Sequence, residues 1–190
     1  MKNYLKALSG LLILSASTLA NAHPGHGIES VYAGLIHPLT GWDHLLVMIA
    51  VGLLSGKLGG NAKWQLPLTF LTLMALGCVF TQFVIPFNGL ETSLAASLMA
   101  MGLLLLISFP IHTLLRTALV GTFAFLHGMA HGAEIPIQQS GRILAAMLFT
   151  TALLHMLGLF LSSDFFKARK TIIFMFGCLM MFLGGYSLIS

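Results

Sequence analysis

The feature that most narrows what this chain can become is a succession of nearly charge-free apolar runs, at about 66–85, 90–109, 117–136, 143–161 and 171–189. Each is close to the ~20 residues that a helix needs to cross the hydrocarbon layer. They are separated by helix-breaking or polar stretches: Pro86-Phe87-Asn88-Gly89, Phe109-Pro110, Pro136 with Gln138-Gln139, and Ser162-Ser163-Asp164. Lipid offers no partner for an open backbone, so such runs can only be helices. Charged residues make up 7% of the 190 residues, against about 25% in soluble domains. The chain therefore reads as an all-α integral membrane protein.

A sixth run, Leu45 to Leu54, is too short to cross alone. Its helix is expected to begin near Pro38, a good first-turn residue, which draws Asp43 and His44 into the membrane. Met1 to Ala22 has the form of a cleavable signal peptide: Lys2 and Lys6, an apolar core from Leu8 to Leu19, then Ala20-Asn21-Ala22. The expected organisation is a signal peptide at 1–22 and a six-helix transmembrane domain at 23–190. Cys78 and Cys178 lie in apolar segments without a CxxC partner, and both read as packed thiols.

Signal cleavage leaves the mature N-terminus outside. Alternate loops then hold Lys57 and Lys63, Arg116, and Lys167, Arg169 and Lys170 on the cytoplasmic side, with Arg142 the one basic residue in the outer loops. That asymmetry agrees with the positive-inside rule. It puts both mature termini in the periplasm of a bacterial inner-membrane protein. The net charge of +4 sets topology and implies no nucleic-acid partner. Three helices followed by three are compatible with a 3+3 inverted repeat, a common transporter architecture.

Chemistry concentrates in His127-Gly128-Met129-Ala130-His131-Gly132-Ala133-Glu134. His127, His131 and Glu134 are spaced i, i+4, i+7, which on a helix puts them within about 60° of one another. A lone intramembrane histidine is more often a packed polar residue than a ligand. Three ionisable groups on one stripe are harder to dismiss, since each costs at least ~2–3 kcal/mol unpaired at the bilayer centre. Imidazole and carboxylate groups at this spacing can share a divalent metal. Gly128 and Gly132 leave room for another helix to approach closely.

A helix running inward from Pro38 and one running outward to Pro136 bring further donors to the same level. At 1.5 Å per residue, His44 lies roughly 10 Å below the outer edge, His127 roughly 13 Å, His131 roughly 8 Å and Glu134 roughly 3 Å. Asp43 falls in that layer and His37 at its rim, so the first and fourth spans are expected to touch. His155, roughly 18 Å deep, could be a further ligand, an inner station on a path, or a histidine bonded to a carbonyl. His112 falls in a cytoplasmic loop. The mature start, His23-Pro24-Gly25-His26-Gly27-Ile28-Glu29, pairs a free α-amine with two imidazoles and could collect a metal outside.

His37-Pro38-x-x-Gly41-x-Asp43-His44 together with His127-Gly128-x-Ala130-His131-Gly132-x-Glu134 resembles the HupE/UreJ family of nickel/cobalt transporters, with the likeness running the length of the chain. The resemblance implies secondary uptake of nickel or cobalt linked to hydrogenase or urease maturation machinery. It implies that His37, Asp43, His44, His127, His131 and Glu134 handle the ion, and that His23 and His26 match the family's His-containing mature start. No prosthetic group is expected; Ni²⁺, Co²⁺ or Zn²⁺ would be cargo.

No ATP motor is evident: Gly52-Leu53-Leu54-Ser55-Gly56-Lys57 is one residue short of a P-loop and lacks the following Ser/Thr. Two alternatives stand beside transport. An intramembrane zinc hydrolase would also put His and Asp on several helices, but His127-x-x-x-His131 lacks the adjacent Glu of the zincins. A membrane metal sensor or chaperone would bind without net flux.

Overall fold

Seven helices and no strand make up the described part of the chain, which in this computed structural model comprises residues 30–84, 88–107, 111–136 and 140–189. They are α1 (Val31–Thr40), α2 (Trp42–Leu58), α3 (Ala62–Thr81), α4 (Leu90–Leu106), α5 (Thr113–Glu134), α6 (Ser140–Leu161) and α7 (Arg169–Ile189). Four of them, α3, α5, α6 and α7, are long and apolar enough to cross a membrane, and the bent pair α1 and α2 makes a fifth if it is counted as one span. α4 stops at Leu106, where Ile107 turns extended. Its 17 residues rise about 26 Å, a little under the ~30 Å hydrocarbon layer. The proposed signal peptide, His23 and His26 lie outside the described residues.

The start of the first span departs from expectation. Pro38 lies inside α1, which begins seven residues earlier than Pro38 at Val31. Ser30 caps α1 by accepting a hydrogen bond from the Ala33 amide at 3.0 Å, so the polar residue before the apolar run sets the start. The break comes at Gly41, which is extended, and the chain turns by 80° between α1 and α2. The Thr40 hydroxyl donates to the His37 carbonyl at 2.9 Å and satisfies an end group of α1. A Cβ on Gly41 would stand 2.9 Å from His44 Nδ1 and 3.0 Å from Asp43 Oδ1. The glycine is thus needed where the following Asp-His pair folds back over the break.

Helix pairing is set by glycines. Gly128 and Gly132 of α5 face the backbone of α3 at Met74 and Cys78, and Gly77 of α3 faces the Phe125 carbonyl of α5. Gly52 of α2 faces the His155 carbonyl of α6, and Gly158 of α6 faces the Ile49 carbonyl of α2. The same register recurs at the next turn: Gly56 meets Ser162, and Gly132 meets Thr81. So Gly52-x-x-x-Gly56 packs on Gly158-x-x-x-Ser162, and Gly128-x-x-x-Gly132 packs on Gly77-x-x-x-Thr81. The third pair, α4 with α7, closes through Gly102 and Gly177, where a Cβ on Gly102 would lie 2.9 Å from the Gly177 carbonyl. Small residues of this kind let membrane helices approach closely.

Polar side chains reinforce these seams. Thr81 donates to the Met129 carbonyl at 3.1 Å and Gln82 to the Gly132 carbonyl at 3.0 Å, fastening the end of α3 to α5. Thr150 of α6 donates to the Leu35 carbonyl of α1 at 2.9 Å. Lys57, expected only as a topology signal, reaches the carbonyls of Leu104 at 3.3 Å, Leu105 at 2.7 Å and Ile107 at 2.5 Å. Its ammonium thereby caps α4, a favourable place for a cation. His112, expected to be a loop residue, caps α5, its Nδ1 accepting from the Leu114 amide at 3.3 Å. Cys78 is buried as expected, whereas Cys178 is exposed on the outward face of α7.

The glycine register makes a test. Gly158→Leu drives a side chain into the α2 backbone and should lower stability by about 1–3 kcal/mol or more, read as a reduced melting temperature in detergent. Gly185→Leu, at a position with open space around it, should melt like the parent.

Candidate metal centre

The 80° break carries His37 on α1 and Asp43 and His44 on α2 over the C-terminal end of α5. His37 Nε2 stands 3.1 Å from His131 Nδ1 and 3.2 Å from Glu134 Oε2, with His131 Nδ1 3.9 Å from that oxygen. One donor atom from each of His37, His131 and Glu134 lies within 4.8 Å of the others. That is close to the separation of two ligands on one divalent ion, whose bonds to nitrogen or oxygen are ~2.0–2.2 Å. One proton must sit between the two imidazole nitrogens, and metal binding would release it.

His44 adds a third ring. Its centroid is 4.7 Å from that of His131, 5.3 Å from that of His127 and 6.0 Å from that of His37. Asp43 does not join the three-residue group. Its Oδ1 accepts from His44 Nδ1 at 3.1 Å, and its side chain is 40% exposed. Its place is to orient His44 and bring negative charge alongside.

The hydrogen bonds fix which nitrogen each inner ring can offer. A carbonyl only accepts, so His127 Nδ1 must carry the proton that it donates to the Phe123 carbonyl at 2.8 Å. The same holds for His155 Nδ1, which donates to the Met48 carbonyl at 2.7 Å. Each neutral ring then has its lone pair on Nε2. His44 Nε2, His131 Nε2 and His155 Nε2 are buried and have no hydrogen-bond partner. Metal-binding histidines are typically held through the other ring nitrogen by a carbonyl or carboxylate, and His44, His127 and His155 each have that support.

The rings form a column. Glu134 at its outer end is 48% exposed and His37 is 23% exposed, while His131 and His127 are buried at 1% and 2%. Burial therefore increases from Glu134 towards His127. Beyond His127 comes Phe70 of α3, its ring 5.9 Å from that of His127 and 5.2 Å from that of His155. His155 thus shares a phenyl neighbour with His127. One of its nitrogens meets a carbonyl, as the plainest expectation had it, and the other does not.

Among the described residues, α1 and α2 come together with α5 at these side chains. The body of α2 packs on α6, and α5 packs on α3, so the donors of α5 face those of α1 and α2 across a seam between helix pairs. Sequence reasoning missed Phe70, Thr81 and Gln82. Phe70 is one apolar residue among many and carries no signal of its own. Thr81 and Gln82 were detectable only as polar residues closing an apolar run.

The family described as HupE / UreJ protein matches residues 11–187. Protein HupE of Rhizobium leguminosarum bv. viciae is 36% identical over 171 residues, covering 89% of this chain and 90% of that protein. No solved structure matches. Together with the apolar helices, these matches make the chain a multi-pass membrane protein that belongs to the HupE/UreJ family.

Proposed function

We propose that the protein is a secondary transporter that carries divalent nickel, with cobalt as alternative cargo, inward across a bacterial inner membrane. The observation that carries this reading is the column of imidazoles from the half-exposed Glu134 to the buried His127, its supported rings keeping Nε2 for a ligand. Nitrogen and oxygen donors suit nickel, cobalt and zinc, and affinity order alone does not choose among them. Nickel and cobalt come from the family resemblance of the two motifs.

In this reading His23 and His26 gather the ion outside. His37, His131 and Glu134 take it first, with the Asp43-supported His44 alongside. His127 receives it next, and His155 lies on the inward route. The carboxylates of Asp43 and Glu134 offset part of the ion's charge, which hydrocarbon would otherwise penalise. A fixed metalloenzyme centre would keep its ion, whereas a graded column of partly satisfied donors favours exchange.

The reading extends to a cleaved signal peptide at 1–22, six spans with α4 as the third, and two inverted halves. The matched glycine registers support the last point. Gly52 and Gly56 of α2 correspond to Gly128 and Gly132 of α5, and Gly158 of α6 with Ser162 just after it to Gly77 and Thr81 of α3. Exchanging the halves maps the α2–α6 seam onto the α5–α3 seam and leaves α4–α7 on itself. Inverted halves of this kind let a site open alternately to the two sides.

Radiolabelled nickel uptake into cells expressing the protein tests the site. His131→Ala, His127→Ala and Asp43→Asn should each cut uptake at least about tenfold, the scale expected for lost ligands or their supports. His112→Asn, which keeps an N-cap acceptor, should take up nickel like the parent. Equal uptake by all four variants would refute the assignment.

Ligand imidazoles must be neutral to bind, so uptake should fall as external pH drops below ~6. A pH series at constant free nickel checks this; a flat profile from pH 5 to 7.5 would contradict it. In a background lacking Cys178, a cysteine at position 142 should react with an impermeant thiol reagent from outside, and one at position 63 should not. The reverse pattern would overturn the orientation.

A further inference from the structure

We infer that Phe70 is the gate of the pathway, closing it between the outer histidine cluster and an inner station at His155. The inference rests on the transport reading above and deepens it. The ring of Phe70 is wholly buried and lies against both His127 and His155. Those two histidines belong to α5 and α6, whereas Phe70 belongs to α3. The phenyl group offers no lone pair. A cation on His127 therefore finds no further ligand in the inward direction until the ring moves. Apolar constrictions of this kind stop ions by excluding their water.

His155 has the chemistry of a receiving site. Its Nε2 is buried and unpartnered. Buried polar atoms are normally satisfied, and this one is left open on a ring that touches an aromatic side chain. Apolar packing alone would not put an imidazole there. A water or a partly hydrated divalent cation would satisfy it.

The division of helices supplies a way to open it. Phe70 is carried by α3, which is locked to α5 by Gly77, Gly128 and Gly132. His155 is carried by α6, which is locked to α2 by Gly52 and Gly158. A small shift of one pair along the other moves the ring relative to His155 without repacking either seam. Such sliding of packed helices is a common closure motion.

The test uses purified full-length protein, with nickel as the probe. Equilibrium nickel binding is measured in detergent and nickel flux in proteoliposomes, for the parent, Phe70→Leu and Phe70→Trp. Binding should stay within about twofold in all three. Flux should rise about threefold or more in Phe70→Leu and fall about tenfold in Phe70→Trp, as expected for a gate that limits passage. Flux that fails to rise in Phe70→Leu while binding is intact overturns the gate, whatever Phe70→Trp does. Lost binding in Phe70→Leu makes the ring a support for the outer cluster, which also overturns it. A parent that binds nickel but carries no flux refutes transport itself, and the gate with it.

Discussion

Hydrocarbon cannot solvate an imidazole, and that constraint governs how this molecule is built. Every histidine drawn below the surface has to spend one ring nitrogen on a protein partner. For His127 and His155 the partner is a backbone carbonyl, and for His44 it is the Asp43 carboxylate. Helix carbonyls are already engaged one turn on, so they add an acceptor without adding charge. Each ring is held at a fixed angle as a result, and its second nitrogen is left uncommitted. The requirement for satisfaction in lipid thus creates a set of uncommitted ring nitrogens.

Backbone proximity is the second requirement, and glycine meets it. The carbonyls of Met48 and Ile49 on α2 are near enough to α6 to receive His155 and to touch Gly158. A larger residue at 158 would push the helices apart and strand the imidazole. On the other seam, Gly128 and Gly132 bracket His131 in sequence, so the glycines that seat α5 on α3 alternate with the donors that α5 presents. Packing and chemistry occupy adjacent faces of one helix, about 100° apart, which explains why the motif interleaves the two residue types.

Much of this could be read in the chain. The helical class follows from the apolar runs, and the spacing of 127, 131 and 134 was enough to put three donors on one face. The common level of those donors with Asp43 and His44 followed from rise per residue and direction alone. The break at Gly41 was not legible, because Pro38 offers an equally good start signal and nothing local says that Ser30 captures the helix first. Helix partners were not legible either. Adjacency of α2 with α6 and of α5 with α3 is a long-range choice among apolar surfaces, and the glycines mark a seam without naming its other side. Phe70 could only emerge from coordinates, since its importance lies in what stands on either side of its ring.

The seam between helix pairs has a consequence for how tightly anything could be held. His131 and Glu134 ride on one glycine-locked pair, while His37 and His44 ride on elements packed to the other. Coordination bonds tolerate only a few tenths of an ångström, whereas two helix pairs can slip by more than that at little cost in apolar contact. The grip of such a cluster is therefore a property of alignment and not of composition. The same six side chains can be a strong chelator in one alignment and a poor one in the next, with no proton, nucleotide or covalent change required to tell them apart.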